Sequence, residues 1–199
     1  MIRLAVFTCI LALALAVPNQ PWFCHDLDCP KYTVLKNFTG YELRRYEVSQ
    51  WVATRDMVTN YDTHKNSQMF FKLFYYISGN NTAGMKIPMT APVVNIFTPG
   101  VGMQQTVSEM HFMIPHNMQP YPPQPTDPTV YITMLPTLDV YVKSFSGFAN
   151  HMMNIVKVTE LKNEINNTSL HYDDHFYTAG YDGPYSVNRH NEVWLAAKN

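Results

Sequence analysis

The sequence predicts an α+β domain, a distorted antiparallel β-barrel of two pseudo-repeated halves that each carry one α-helix. Two stretches place apolar residues at three- and four-residue steps, which is typical of amphipathic helices. Short segments that alternate, or that are rich in β-branched and aromatic residues, flank each stretch on both sides. The order strands, helix, strands therefore occurs twice, which indicates an internal duplication with both helices on one side of the sheet.

The chain begins with the features of a secretory signal peptide. A short basic start is followed by an apolar run over Leu4–Leu15, shorter than the roughly 20 residues that span a bilayer. We place the signal peptide at residues 1–16, with cleavage after Ala16, and expect a secreted, extracellular protein. The alternatives are an uncleaved anchor or an incorrect start.

Residues 17–37 form a predicted lead-in to a domain that spans residues 38–199. Cys9 leaves with the signal peptide, so the mature chain keeps Cys24 and Cys29. An oxidising compartment favours a disulfide between them. Half of a metal site is the alternative, but the chain has no second cysteine pair.

Four asparagines begin N-glycosylation sequons, and three of them fall at turns or element ends. They are Asn37, Asn80, Asn166 and Asn167. We expect a glycoprotein.

The first half of the domain has two strands, a helix and two more strands. The predicted strands cover residues 41–47, 50–58, 93–97 and 107–114. The helix covers Thr63–Ile77, where Phe70, Leu73, Phe74 and Ile77 form one apolar stripe. A stretch stiffened by Pro88 and Pro92 joins this helix to the next strand, and the two together suggest a pocket wall.

The second half follows a connector that contains six prolines, Pro115–Pro128, which excludes a helix or a central strand. Its predicted strands cover residues 129–134, 138–145, 176–180 and 192–197. Its helix begins near Gly147, with an apolar series at Phe148, Met152, Ile155, Val158, Leu161 and Ile165.

Composition and motifs exclude several classes of function. A net charge of −1 with 15% charged residues gives no electrostatic footprint for nucleic acid or anionic membranes. The chain has no nucleophile elbow, zinc-protease motif or phosphate loop. His171-Tyr-Asp-Asp-His175 could hold zinc, but a solvated loop explains it better. We expect a monomer that is not an enzyme.

Several side chains could ligate a haem iron in principle, and the sequence does not rank them. They are His64, His111, His151, His171, His175, Met69 and Met89.

The chain resembles the SOUL haem-binding protein family, through motifs that occur in order over most of the mature sequence. These motifs are Tyr41-Glu-Leu-Arg-Arg-Tyr, Trp51-Val-Ala-Thr, Lys72-Leu with Tyr76-Ile and Gly79-Asn, Met85-Lys-Ile-Pro-Met-Thr-Ala-Pro-Val93, Ser144-Phe-Ser-Gly-Phe148, Tyr177-Thr-Ala-Gly-Tyr-Asp182 and Asn191-Glu-Val-Trp-Leu195. The signal peptide and the two-cysteine lead-in resemble the secreted branch of the family that is similar to haem-binding protein 2. The resemblance implies a distorted two-repeat barrel that binds haem or free porphyrin, non-covalently, in an apolar cleft along the first helix.

Carried over to this chain, the cleft would be lined by the apolar stripe of the first helix, with a polar side chain near the propionates. The stripe residues are Phe70, Leu73, Phe74 and Ile77, and the residues near the propionates are Lys72 or Tyr75. The same stripe could instead bury itself against the sheet.

One departure from the family pattern concerns the iron ligand. One branch has a proposed axial histidine after the arginine of a Tyr-Glu-x-Arg-His-Tyr motif, and Arg45 stands at that position here. A guanidinium stays protonated and does not coordinate iron. Either another residue holds the iron weakly or none does, so burial and stacking would supply the affinity. We therefore expect little discrimination between haem and metal-free porphyrin.

These observations predict a secreted haem- or porphyrin-binding protein that acts as a carrier or scavenger. Two alternatives remain at this stage. The first is a secreted interaction module that has lost the tetrapyrrole, and the second is a hydrolytic enzyme that uses the same cleft.

Overall fold

The structure is a computed structural model that describes residues 20–59, 63–99, 105–183 and 185–198. The predicted signal peptide lies outside these ranges. The nine strands of the described chain are β1 Tyr32–Phe38, β2 Tyr41–Tyr46, β3 Ser49–Thr59, β4 Val93–Pro99, β5 Gln105–Met113, β6 Val130–Leu135, β7 Leu138–Ser146, β8 Phe176–Gly180 and β9 His190–Ala196. The two α-helices are α1 Thr63–Ile77 and α2 His151–Ile165.

The predicted α+β class is confirmed, since all nine strands form one curled antiparallel sheet with two helices. The strand order is β1-β2-β7-β9-β8-β4-β5-β3-β6. Eight of the nine strands coincide with predicted ones. The exception is β1, which the sequence analysis left in the lead-in and which pairs with β2.

The sheet order shows the two predicted halves as a pseudo-twofold arrangement. The first half is β2-β3-α1-β4-β5 and the second is β6-β7-α2-β8-β9. From the centre outwards the sheet reads β4-β5-β3-β6 on one side and β8-β9-β7-β2 on the other. Each half therefore lends its first strand to the other half, which ties the two together. The pseudo-axis passes between β4 and β8.

Both helices cover the same face of the sheet. Side chains two residues apart along a strand lie on one face. Val93 in β4 packs in the core beneath α1. Phe97, four residues on, stacks on Phe176 in β8, which packs against the core beneath α2. α1 contacts β3 and β5, and α2 contacts β7 and β9, so each helix covers its own half.

Local sequence sets the packed face of α1 and the start of α2. The α1 residues that pack downward are Met69, Leu73, Tyr76 and Ile77. α2 begins later than predicted, because Gly147 has a positive φ and the Asn150 side chain caps the helix by accepting from Met153 N at 2.8 Å. Phe148 therefore precedes the helix. No helix in the described ranges is both long and apolar enough to cross a membrane.

The opposite face of the sheet holds a third core, which the lead-in completes. Trp51 and Trp194, from opposite halves, are buried in this cluster. A disulfide joins Cys24 to Cys29, and Phe23 beside it lies in the same core. The lead-in is therefore part of the folded domain.

Candidate functional site

An open groove lies between the two helices, above the strands that meet at the pseudo-axis. Its volume is about 670 Å³, within the roughly 300–1,000 Å³ of small-molecule sites. Its walls come from α1 and from the start of α2, and its floor comes mainly from β4, β5 and β8. The groove thus lies where the two repeated halves face each other.

Equivalent positions of the two helices build the two walls. Both helices have 15 residues. Thr63 and His151, the first residue of each helix, line the groove, and so do Asn66 and Asn154, the fourth. The two walls differ in their other residues. Phe70 lines the α1 side, and Met152 lines the α2 side.

The α1 wall is aromatic. The Phe70 ring meets the core ring of Phe112 edge-on, with centroids 5.2 Å apart. It stacks on the Phe74 ring at 5.9 Å and 15°. Phe70 is therefore fixed by the core at one end and half-buried at the groove, which suits it to contact a flat ligand.

The α2 wall presents an imidazole. His151 follows the cap residue Asn150 directly, so its backbone position is set by the helix start. Its ring lies edge-on to Phe97 in the groove floor, with centroids 5.5 Å apart. Burial lowers the pKa of His151 below its ordinary value. The neutral imidazole carries a nitrogen lone pair that can coordinate a metal.

The groove floor is polar at its centre. Asn95 lies opposite Thr178 across the β4–β8 pair, and both residues line the groove with Ser108 and Asn191. Asn95 Oδ1 is buried and has no hydrogen-bond partner within the described residues. A buried acceptor without a partner costs free energy, and because protein atoms shield Asn95 Oδ1 from solvent, it lies beneath the groove surface.

The groove has acidic and basic groups at its end nearest β9. Asp182, Arg189 and Glu192 contribute to its lining there, although the Glu192 carboxylate points to the opposite face of the sheet, since the next residue, Val193, packs beneath α2. Asp182 accepts from the backbone N–H of His190 at 2.7 Å. The Arg189 guanidinium lies 4.1 Å from the centre of the Phe148 ring. Arg189 thus places positive charge at the groove margin, where a ligand carboxylate could meet it.

Glu192 is fully buried within a network of donors. Its carboxylate accepts from Arg44 Nη1 at 2.9 Å, His190 Nε2 at 2.8 Å, Tyr181 Oη at 2.9 Å and Trp194 Nε1 at 2.8 Å. Burial alone would raise the pKa of Glu192, but the His190 hydrogen bond and the Arg44 charge outweigh it and lower that pKa. With four donors in place, this carboxylate is occupied by the protein.

The predicted α1 residues divide between the groove and the core. Phe70 lines the groove, and Phe74 extends the aromatic surface while remaining 41% exposed. Leu73 and Ile77 lie in the core beneath the helix. Tyr75 is exposed on the outer side, where it contacts the Phe71 ring, and the half-buried Lys72 lies close enough to influence the pKa of Asp127.

Arg45 lies at the sheet surface and does not line the groove. Its Nε and Nη2 donate to Asp139 Oδ1 and Oδ2, each at 2.7 Å, in a two-pronged pair at the sheet surface. Its side chain is 54% exposed, whereas that of the neighbouring Arg44 is 4% exposed. Alternation along β2 thus sends the two arginines to opposite faces.

Of the described histidines, His151 alone lines the groove. His64 is exposed and shares a hydrogen bond with Gln68. His111 is buried in β5, and His171 is buried beside β9. Within the described ranges, no group of three or more His, Cys, Asp or Glu side chains could hold a metal ion.

The sequence predicts a cleft along α1 and does not indicate the α2 wall or the strand floor. It offers His151 as one of seven possible iron ligands but does not place it in the cleft. The groove residues that it does not indicate are Ala149, Asn150, Met152, Asn154, Val93, Asn95, Phe97, Thr178 and Asn191. The repeat itself was the available signal. A site on a pseudo-axis draws on both copies, so the start of the second helix was a reasonable place to look.

Known proteins show the same fold and sequence pattern. The pattern of the SOUL heme-binding protein family matches residues 27–196. The chain is 36% identical to Heme-binding protein 2 of Homo sapiens over 163 residues, which covers 80% of this chain and 79% of that protein. Heme-binding protein 2 of Mus musculus is 35% identical over the same length, with the same coverage.

A solved structure of low sequence identity is similar in fold. The cryo-EM structure of an EcmrR–DNA complex superposes with a TM-score of 0.60 and 9% identity, covering 81% of this chain and 59% of that chain. This chain therefore spans less than two thirds of that protein. At such low identity, the likeness shows the fold alone.

Proposed function

This chain belongs to the SOUL haem-binding protein family, and from that premise we propose that it binds haem or free porphyrin in the groove between α1 and α2. The observation that carries the proposal is the groove itself, about 670 Å³ between an aromatic wall and a polar floor. An apolar wall with a few placed polar groups is typical of small-molecule sites.

The groove fits a tetrapyrrole in its chemistry as well as its volume. Phe70 and Phe97 offer ring surfaces for a flat macrocycle. Arg189 supplies charge for a propionate. In this arrangement Leu73 and Ile77 support the α1 wall from below.

The test is titration of metal-free protoporphyrin IX into the purified protein, followed by fluorescence and absorbance. Because no iron is present, the result depends on the groove alone. Phe70→Ala should weaken binding about tenfold, since one ring face of the contact is lost. Phe71→Ala is the matched control, because Phe71 is the next residue of α1 and is half exposed on the outer side.

Circular dichroism of both variants would show that the helices remain. Equal loss in the two variants, or no binding by the wild-type protein, would contradict the proposal. The second result would favour an interaction module that keeps the fold without the ligand.

We also propose that the protein is exported and acts as a carrier or scavenger, and that it is not a catalyst. The basic-apolar start, the Cys24–Cys29 disulfide and the exposed sequon asparagines support export. Engagement of Glu192 by four protein donors supports binding over catalysis, because an occupied carboxylate is a poor general base. Near-neutral charge supports a protein without affinity for nucleic acid or anionic membranes.

Expression in a secreting eukaryotic cell tests export. The secreted chain should begin at Val17, and a glycosidase should lower its mass. The sequon asparagines Asn37, Asn80, Asn166 and Asn167 are all exposed, so each is open to the transferase. Recovery of the chain only from the cell interior, with residues 1–16 retained, would contradict export. Porphyrin that is chemically changed after incubation would contradict a carrier role.

A further inference from the structure

Arg45 occupies the position of the histidine that is the proposed iron ligand in one branch of the family. We propose that His151, at the start of α2, coordinates the haem iron in the groove instead. This inference rests on the proposed function and names the residue that distinguishes haem from metal-free porphyrin. It selects one of the two possibilities left by Arg45, that another side chain holds the iron.

The first argument is placement. Of the eight histidines in the sequence, all in the described ranges, only His151 lines the groove. Imidazole is the commonest protein ligand of iron and needs only one ring nitrogen directed at the metal. The other histidines lie at the surface, in the opposite core or beside β9, away from the space between the helices.

The second argument is rigidity. The Asn150 side chain accepts from Met153 N at 2.8 Å, and its carbonyl accepts from Asn154 N at 2.9 Å. These bonds fix the first turn of α2 and so fix the backbone of His151. The Phe97 ring then meets the imidazole edge-on at 5.5 Å. A histidine side chain that is already held by backbone and ring contacts loses little conformational freedom when it coordinates iron.

The third argument comes from the pseudo-twofold axis. The α1 residue equivalent to His151 is Thr63, which also lines the groove. A neutral threonine hydroxyl is a poor iron ligand, and the other α1 residues that line the groove are Asn66 and Phe70. The α1 wall therefore presents no imidazole, and of the two equivalent positions only His151 could supply a nitrogen ligand to the iron.

The test compares hemin and metal-free protoporphyrin IX on three full-length mature proteins. These are the wild type, His151→Ala and the control His64→Ala, whose histidine lies in the first turn of α1 and is exposed. The wild type and the control should prefer hemin. In His151→Ala the ratio of hemin affinity to protoporphyrin affinity should fall about tenfold, because the lost ring contact weakens both ligands and the lost iron bond weakens hemin alone. This departs from the expectation, drawn from Arg45 alone, that the two ligands bind alike.

Resonance Raman spectra of the reduced haem complex give a direct readout. The iron–histidine stretching band should be present in the wild type and His64→Ala, absent in His151→Ala, and restored when free imidazole is added to His151→Ala. A band that persists in His151→Ala, or that is absent from a wild-type protein with bound haem, would overturn the assignment and leave the groove proposal standing. Failure of the wild type to bind either ligand would overturn both.

Discussion

Replacing Arg44 by methionine should destabilise this protein far more than the same change at Arg45. Methionine keeps much of the aliphatic volume, so the comparison isolates the charge. Arg44 is 4% exposed and donates to the fully buried Glu192 at 2.9 Å. Removing one partner of a buried pair leaves an uncompensated charge, which costs roughly 3–5 kcal/mol. Arg45 is 54% exposed in its pair with Asp139, and an exposed pair of this kind contributes little to stability because water and salt screen it.

Urea denaturation followed by tryptophan fluorescence measures both effects. With a slope near 2 kcal/mol per molar urea, Arg44→Met should lower the midpoint by about 1.5 M or more. The deficit should also shrink as the pH falls. Arg44 helps to hold the pKa of Glu192 low, so its stabilisation is present above the ordinary carboxyl pKa and lost as Glu192 takes up a proton. Midpoints that agree within 0.3 M for the two variants, on the order of 0.6 kcal/mol, would refute this reasoning.

Three further changes test separate parts of the fold. Burial lowers the pKa of His111 to about 4. Between pH 6.5 and 4 the unfolded chain therefore binds a proton that the folded chain does not, and the free energy of unfolding should fall by up to about 3 kcal/mol over that range. In urea titrations His111→Phe should flatten this pH dependence, and an unchanged dependence would contradict the prediction. Because Leu73 is buried in the core, Leu73→Ala should lower the free energy of unfolding by about 3 kcal/mol and change porphyrin affinity by less than about twofold. A large loss of affinity in a variant that is still folded would place Leu73 in the site instead. Cys24→Ser removes the disulfide that closes a five-residue loop, which should lower the free energy of unfolding by about 2 kcal/mol. Wild-type protein with reductant should show the same shift of the urea midpoint. If neither shows a shift, the disulfide does not stabilise the fold.

The fold could be predicted largely from the sequence because its signals are local. The α1 stripe fixed that helix at Thr63–Ile77, as found. The start of α2 was placed too early, since Phe148 continues the apolar period although Gly147 and the cap at Asn150 interrupt the backbone before it can become helical. β1 was missed because an edge strand with both faces largely exposed carries no strong alternation.

The site was harder to predict because it depends on which faces meet. Phe70 and Leu73 belong to one stripe by sequence period, yet the first lines the groove and the second is buried in the core. His151 had no local distinction from His64 or His171, and only the meeting of the two halves places it in the groove.

The sequence by itself determined the elements, the repeat and the family, because hydrophobic period, turn residues and motif order are all properties of neighbouring positions. Tertiary structure alone decided which of two adjacent arginines is buried against Glu192 and which remains at the surface. It also decided which of eight histidines faces the groove. Both depend on the register and curl of the sheet. Side chains one residue apart point to opposite faces, and residues far apart in sequence, such as Arg44 and Glu192 at a separation of 148, come together only when the two halves pair.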